Sequence, residues 1–377
     1  MRRITESTFL LAANGEFDAP PVAGVREYLV PRAAAVTVIM HPLNREDAPL
    51  HKIAHWQRGQ LVSERTLALP SRPPYTYLLD AIAPFARPRV DLWIGFNNLS
   101  VLNGIMRRRL HLVSEVAYWA VDFVPDRFGS ETLLSRAFDR LDSFAARRSD
   151  LRVELTTAAR DGRASRLGLT SDIAPTQIAP IGLWLDRLGR TDEDAWRKRR
   201  VIFSGHLVPR QGVVKLIEAV ALLPDVTLDI IGRGPQEGEL RSLVSQLGVE
   251  DRIRFLGFFP EHRDVERIVA EASIAVAPYA TGIDSFSQYA DPSKIRLYAG
   301  VGLPVITTTV PPNVDELVRE AGVQVTDFDA HAIADAIDRG LSSPDEWAKR
   351  RCDALRYSEA FDWGAIVSAV LGRLGFH

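Results

Sequence analysis

The chain has very little cysteine, and this limits both its chemistry and its compartment. Among 377 residues Cys352 is the sole cysteine, so no disulfide can form within the chain. A chain without disulfides fits a reducing cytoplasm. Its histidines are scattered, with no spacing typical of a structural metal site. The N-terminus also lacks a charged and then apolar signal pattern. We therefore expect a cytoplasmic protein that needs neither a metal ion nor a cofactor.

Long apolar runs and a charge excess are also absent. No stretch of about 20 apolar residues indicates a membrane-spanning helix. The 46 basic and 48 acidic residues leave a net charge of −2, which argues against a dedicated nucleic-acid-binding protein. The hydrophobic content of 46% is ordinary for a globular chain, and this length favours two domains.

Two common nucleotide-binding motifs are missing. The sequence has no Gly-Lys-Ser/Thr P-loop, which counts against an ordinary ATPase or GTPase. It also lacks the Gly-x-Gly-x-x-Gly fingerprint, so a nicotinamide-dependent dehydrogenase is not favoured.

Strands and helices alternate along the first half of the chain. Such alternation predicts βαβ units and a mostly parallel sheet. The expected strands cover residues 8–13, 34–40, 61–69, 91–96, 114–121 and 151–156, and the expected helices cover 75–83, 99–109 and 131–147.

Loops at the carboxyl ends of these strands are candidate ligand sites. Asn14, Gly15 and Asn97 lie in two such loops. Asp122 follows an apolar strand, so a partly desolvated carboxylate could act there as a general base. The alternative is that Asp122 only caps the next segment.

The marked basic cluster of the chain is Arg107, Arg108 and Arg109, which has apolar neighbours. Two interpretations stay open. The cluster could make a peripheral contact with an anionic membrane surface, at the inner face of the membrane, or it could be a solvated helix end.

A polar segment over 187–200 marks a domain boundary. The alternation then restarts, which predicts a second doubly wound domain. We expect an N-terminal domain over 1–180, a C-terminal domain over 187–360, and a last helix within 361–377 that could return to the N-terminal domain. The expected strands of the second half cover 201–205, 228–232, 252–257 and 274–277, and its expected helices include 213–223, 332–339, 344–356 and 363–374.

The stretch over 291–308 has the pattern of a phosphate-binding helix start. Asp291 suits the N-cap, Pro292 suits the first helical position, and Gly302 suits the end of the helix. Lys294 would add a full charge to the first turn, where backbone N–H groups already attract anions. Only five of the 46 basic residues are lysines, so a lysine here goes against the bias of the chain.

Several motifs of the second half resemble the donor domain of GT-B glycosyltransferases. The motifs are Phe-Ser-Gly-His-Leu-Val-Pro-Arg-Gln-Gly over 203–212, Ile-Gly-Arg-Gly-Pro over 231–235, Ile-Arg-Phe-Leu-Gly over 253–257 and Gly-Leu-Pro-Val-Ile over 302–306. The resemblance implies two facing Rossmann-like domains with a cleft between them. It covers about residues 175–325, and the first half only in its order of strands and helices.

Departures from family 4 of these enzymes refine the resemblance. His206 and Gln211 stand where that family usually has Arg and Lys, and Tyr289 and Leu297 stand where it has two glutamates. The segment over 291–298 instead resembles the Asp-Ser-x-Lys-x-x-Gln-Tyr pattern of bacterial exopolysaccharide glucuronosyltransferases. That pattern implies that Lys294 contacts the nucleotide diphosphate. From the loops at the strand ends and from these motifs together, the residues assigned to the donor are Gly205, His206, Arg210, Gly232, Arg233, Tyr279, Asp291, Ser293, Lys294 and Tyr298.

The sequence therefore predicts a metal-independent glycosyltransferase of polysaccharide or glycoconjugate biosynthesis. A UDP-sugar is the favoured donor, and the acceptor is a saccharide, a lipid-linked molecule or a small molecule. Two alternatives stay open, a nucleotide-sugar epimerase of the same architecture and a non-catalytic relative that binds a sugar or a protein partner.

Overall fold

The computed structural model describes residues 2–14, 20–42, 51–67, 89–130, 132–170, 172–282 and 287–377. The chain divides into two compact units. One comprises Met1–Ile181 together with Trp363–His377, and the other is Gly182–Asp362. The second unit thus begins somewhat before the boundary expected at residue 187.

The first unit contains an eight-stranded sheet. Its order is β4-β3-β2-β1-β5-β6-β7-β8, and all pairs except β2–β3 and β3–β4 are parallel. The central strand β1 is buried from Phe9 to Ala13, as expected for a strand covered on both faces. The strands are β1 Thr8–Asn14, β2 Ala35–His41, β3 His51–Gln57, β4 Gln60–Leu67, β5 Val90–Gly95, β6 Val113–Ala120, β7 Leu151–Glu154 and β8 Thr176–Ile178.

Four described helices connect these strands, and three of them begin at a side-chain cap. Asn97, Thr132 and Thr156 each accept a hydrogen bond from the backbone N–H three residues ahead. The helices are α1 Val22–Leu29, α2 Asn98–Arg109, α3 Leu133–Arg148 and α4 Thr157–Leu167. The helix expected over 75–83 lies outside the described residues.

The second unit has a six-stranded sheet in the order β11-β10-β9-β12-β13-β14, parallel throughout. This is the strand order of a doubly wound Rossmann-like sheet, whose order reverses between β9 and β12. The strands are β9 Arg200–Ser204, β10 Thr227–Ile231, β11 Ile253–Gly257, β12 Ile274–Ala277, β13 Val305–Thr307 and β14 Gln324–Val325.

Helices cover this sheet and bury two apolar clusters against it. They are α5 Val213–Ala221, α6 Glu237–Leu247, α7 His262–Ala270, α8 Ser293–Val301, α9 Val314–Ala321, α10 Ala330–Ser342 and α11 Pro344–Ser358.

The last helix, α12 over Trp363–Arg373, belongs to the first unit. It packs on α1, where a Cβ on Gly24 would lie 2.3 Å from the ring of Trp363. The residues after it continue this packing, because the Phe376 ring lies 5.3 Å from that of Phe9. The end of the chain is therefore part of the core of the first unit.

Candidate functional site

The carboxyl ends of β9, β10 and β12 lie at one edge of the second sheet, because the three strands are neighbours and parallel. Ligands of doubly wound sheets bind at this edge, where the strand order reverses. The loops after these strands contain many of the residues that the sequence assigns to the donor.

The loops after β9 and β10 are locked together by backbone hydrogen bonds. Gly205 N–H donates to the carbonyl of Ile231 at 2.9 Å, and Leu207 N–H donates to the carbonyl of Arg233 at 2.9 Å. A Cβ on Gly232, whose φ is +133°, would lie 1.9 Å from the carbonyl oxygen of Gly205. Glycine is thus required at 232 by close backbone approach.

The loops after β9 and β12 meet in the same way. Gly212 has a φ of +69°, and a Cβ there would lie 1.8 Å from the carbonyl oxygen of Pro278. Ala280 N–H donates to the carbonyl of Arg210 at 3.0 Å. These contacts fix the backbone that carries Arg210 beside the loop that carries Tyr279.

Lys294 lies in the first turn of α8, and its ammonium group points toward these loops. The Nζ atom is 4.4 Å from the centre of the Phe203 ring and 5.2 Å from that of Tyr279. It also donates a hydrogen bond to Gln211 Oε1. A Cβ on Gly205 would lie 2.6 Å from Nζ, so the absence of a side chain at 205 leaves the space that the ammonium occupies.

Burial, together with the nearby positive charge of Arg210, lowers the pKa of Lys294 to about 7. Among the residues that the structure describes, no carboxylate forms an ion pair with Lys294. His206 has the same kind of environment, since burial, Arg210 and Arg233 all lower its pKa. Positive groups are therefore concentrated at this edge of the sheet, and an anion would relieve their repulsion.

Two details predicted for the start of α8 are wrong. The helix begins at Ser293, so Pro292 occupies the cap position and not the first helical position. Asp291 does not cap the helix, because its buried carboxylate pairs with the guanidinium of Arg296, one turn further along. Gly302 ends the helix with a φ of +85°, as predicted.

Tyr298 is completely buried, and its hydroxyl accepts a hydrogen bond from Ser204 N–H at 2.7 Å. The structure therefore gives it a supporting role at the end of β9, and the donor contact predicted for it stays a prediction. Tyr279 is half-buried, and burial together with the Asp291 carboxylate raises the pKa of its hydroxyl.

Residues of the predicted acceptor loops line a cavity of about 390 Å³ in the first unit. It lies at the carboxyl ends of β1, β5 and β6, and Asn14, Asn97 and Asp122 are on its wall. Asn97 donates from Nδ2 to Asn14 Oδ1, and its own Oδ1 accepts from Ser100 N–H at 2.8 Å. Gly15 lies outside the described residues.

Asp122, expected either as a partly desolvated carboxylate or as a cap of the next segment, is about half exposed. Its side chain is 47% exposed, and its Oδ2 lies 3.7 Å from Nη2 of Arg127. Its position on the cavity wall still allows contact with a bound hydroxyl.

A buried charged network under this loop was missed by the sequence analysis. Arg163 donates to Asp142, to Glu154 Oε1 at 2.8 Å and to the backbone carbonyl of Asp122 at 3.0 Å. Tyr118 donates its hydroxyl to Asp142 Oδ1 at 2.5 Å. The network therefore positions the backbone at Asp122. Three charged residues at separated positions give no local motif, so only the fold brings them together.

The three arginines of the basic cluster do not form one exposed cationic surface. Arg107 is buried, donates to Asn103 Oδ1 at 3.0 Å and lies over the Trp93 ring. Arg108 pairs with Asp150 at 2.6 Å. Of the three, only Arg109 is exposed, so this arrangement does not support the membrane contact, which stays a prediction. No helix in the described part of the chain combines the length and the apolar character needed to cross a membrane.

Comparisons with known proteins agree with the fold. Residues 198–343 match the family model for group 1 glycosyl transferases. A structure of HepE from Anabaena in complex with UDP aligns with 98% of this chain and 99% of that one, with a TM-score of 0.70 and 15% identity. Sucrose-phosphate synthase from Thermosynechococcus elongatus aligns with 98% of each chain, with a TM-score of 0.70 and 17% identity.

Curated relatives match over part of their length. The putative colanic acid biosynthesis glycosyltransferase WcaL of Escherichia coli is 31% identical over 36% of this chain and 34% of its own. The D-inositol 3-phosphate glycosyltransferase of Corynebacterium glutamicum is 32% identical over 45% of this chain and 41% of its own. The chain thus spans well under half the length of these relatives. The resemblance predicted from the motifs is confirmed: the chain has the GT-B fold, and its residues 198–343 match the group 1 glycosyl transferases.

Proposed function

We propose that this protein is a glycosyltransferase that moves a sugar from a UDP-sugar to a hydroxyl group of a saccharide acceptor, without a metal ion. The diphosphate of the donor binds at the edge of the second sheet, where Lys294, Arg210 and Arg233 supply positive charge. The loops at Gly205 and Gly232 allow the backbone to approach it closely.

One observation carries this proposal. The ammonium of Lys294 is buried, has no carboxylate partner among the described residues, and lies near Arg210. A buried charge without an opposite charge is unfavourable, so such an arrangement is expected where a ligand supplies the missing charge. The position at the reversal of the strand order, next to glycine-rich turns, favours a nucleotide as that ligand.

The chemistry follows from the charge of the leaving group. Cleavage of the glycosidic bond leaves both bonding electrons on the diphosphate oxygen, and fixed cations stabilise this developing charge by preorganised electrostatics. The acceptor hydroxyl must lose a proton as its oxygen bonds to the sugar carbon. We assign that proton to the Asp122 carboxylate, on the wall of the cavity in the first unit.

The relatives support the classes of donor and acceptor. HepE from Anabaena has been solved in complex with UDP and with UDP-glucose, which favours uridine as the nucleoside of the donor. WcaL carries the name of a colanic acid biosynthesis enzyme, which favours a saccharide acceptor.

The test is UDP binding by calorimetry and sugar transfer with a panel of UDP-sugars and saccharide acceptors, on wild type and on Lys294→Ala. We expect loss of most UDP affinity and a fall in kcat of at least about a hundredfold, because one preorganised contact to developing charge is removed. Lys215→Ala is the matched control. That lysine lies on α5 and pairs with Glu218 at 2.7 Å, so its loss leaves both quantities unchanged.

Three results would contradict the proposal. Normal UDP affinity of Lys294→Ala would show that the donor does not bind at this edge of the sheet. Sugar transfer abolished by EDTA would overturn the metal-independent step. Conversion of the UDP-sugar to an epimer without acceptor would replace transfer by epimerisation.

A further inference from the structure

The cavity of the first unit is much more apolar than the binding of a bare sugar requires. Its volume of about 390 Å³ lies within the range of pockets that bind small molecules. Most of its wall is formed by aliphatic and aromatic side chains. Among these are Phe96, Leu99, Val121, Phe128, Leu134 and Phe138.

The apolar wall is built by regular packing. Leu134, Phe138 and Leu141 recur at helical spacing on α3, so one face of this helix lines the cavity. The Phe128 ring meets the Phe138 ring edge-on at 5.7 Å between centres. The guanidinium of Arg127 lies over the Phe138 ring, 5.6 Å from its centre. The aromatic part of the wall is therefore preformed.

The polar residues of the wall are fewer than the apolar ones and lie at or near the carboxyl ends of the strands; they are Asn14, Asn97, Asn98, Tyr118, Asp122 and Arg127. Asn14 and Asn97 are hydrogen-bonded to each other, and Asp122 lies 3.7 Å from Arg127. A ligand that fills this cavity must therefore present both polar and apolar surface. A saccharide alone would leave the aliphatic and aromatic wall in contact with hydroxyl groups, which gains little from the burial of apolar surface.

We propose that the acceptor carries an apolar group next to the sugar, either an alkyl chain or an aryl ring, and that this cavity binds the apolar group. The inference rests on the proposed function, because only a transferase has an acceptor, but binding to the cavity can be measured without any donor. In the proposed binding mode, the hydroxyl of the acceptor lies near Asp122 and its apolar group lies against α3.

The test compares three glucosides that share one sugar. Methyl, phenyl and n-octyl β-D-glucopyranoside are titrated into the full-length protein without nucleotide, with the octyl compound kept below its micelle concentration. We expect the phenyl or the octyl compound to bind at least about tenfold more tightly than the methyl compound, because only they bury additional apolar surface. Tighter binding of the octyl compound identifies an alkyl chain, and tighter binding of the phenyl compound identifies an aryl ring.

Two adjacent leucines provide a matched pair of variants. Leu134 is 58% exposed and lines the cavity, whereas Leu133 is 83% exposed and does not. We expect Leu134→Asn to lose most of the preference for the phenyl or octyl compound over the methyl compound. Leu133→Asn should keep this preference. Both side chains are largely exposed, so both variants are expected to fold.

Equal affinity for all three glucosides would overturn the inference, as would an equal loss in the two leucine variants. UDP titrations on the same samples separate the two proposals. Normal UDP binding without a glucoside preference rejects only the apolar acceptor. A glucoside preference without UDP binding rejects the glycosyltransferase and leaves the apolar cavity as a binding site.

Discussion

Burial and the charge of Arg210 lower the pKa of Lys294, and this should make the proposed nucleotide binding sensitive to pH. Burial and Arg210 lower its pKa to about 7 in the ligand-free protein. A bound diphosphate favours the protonated ammonium and so raises this pKa. Above the ligand-free pKa, binding must therefore be accompanied by uptake of a proton.

We expect the affinity for UDP to fall by up to about tenfold per pH unit as the pH rises above about 7, until the pKa of the bound state is reached. The ionisation of UDP itself contributes at lower pH. Lys294→Met separates the two effects, because methionine carries no charge at any pH. Calorimetric titrations between about pH 6 and 9 should give a steep slope for wild type and a shallow one for the variant. Parallel slopes would show that Lys294 does not take up the proton.

Asp122 can be tested as the base against a neighbour in the same loop. Asp122→Asn keeps the shape of the side chain and removes the proton acceptor, so we expect kcat to fall by about a hundredfold or more. Asp126→Asn is the control, since Asp126 is similarly exposed and pairs with Arg166 at 2.8 Å. Steady-state rates with saturating donor and acceptor measure the effect. Equal rates for the two variants would leave Asp122 as a wall residue of the cavity only.

The contrast between Lys294 and its neighbours shows what a motif can predict. The motif placed Lys294 in the first turn of a helix, and the structure confirms that place. The same motif gave no sign that Asp291 pairs with Arg296 or that the Tyr298 hydroxyl supports Ser204. A motif fixes positions along the backbone, whereas the partner of a side chain depends on which elements the fold brings near it.

The glycine-rich turns are under close steric control, and one substitution pair tests this. Gly232→Ala would place a Cβ 1.9 Å from a backbone oxygen at a φ of +133°. We expect it to lower the free energy of unfolding by about 2 kcal/mol or more and to weaken UDP binding, because the loops after β9 and β10 must separate. Gly238→Ala lies six residues away on α6, where a Cβ would meet no atom within 4 Å. It should stabilise the protein by about 0.5–1 kcal/mol. Urea unfolding of both variants measures these changes, and destabilisation by Gly238→Ala alone would contradict this steric explanation.

Buried parallel strands were the elements most readily predicted. β9, β10 and β12 are short apolar runs that end at turn residues, and each was expected within about a residue or two of its observed bounds. β3 was missed, because its sequence His-Lys-Ile-Ala-His-Trp-Gln shows no apolar run and no clear alternation. It forms an antiparallel hairpin with β4 through Arg58 and Gly59, both at positive φ. Arginine is unusual at such a position, so the turn gave no strong signal.

The order of the strands is a property of the whole molecule, and the pattern of residues along the sequence did not predict it. Alternation of strands and helices predicted two Rossmann-like units, and the structural relatives confirm this fold. The order β11-β10-β9-β12-β13-β14 determines which loops meet at the reversal point, and so brings Gly205 near Lys294. These residues are 89 positions apart. Their proximity follows from the topology alone, which the resemblance supplied and the residue pattern did not.

The C-terminal helix offers a test of whether UDP binding depends on the second unit alone. Trp363 is 4% exposed and packs on Gly24 of α1, so Trp363→Ala should cost the first unit about 3–5 kcal/mol of stability. The proposed nucleotide site lies wholly in the second unit, and the Kd for UDP should stay within about twofold of wild type.

Trp347→Ala is the counterpart in the second unit, where Trp347 is 1% exposed and donates to the carbonyl of Ser273 at 2.7 Å. We expect this variant to lower stability and to weaken UDP binding, because the core under β9 and β12 includes Trp347. Calorimetric unfolding and UDP titration of both variants measure these effects. If Trp363→Ala lost its affinity for UDP while Trp347→Ala retained it, the nucleotide site would belong to the first unit.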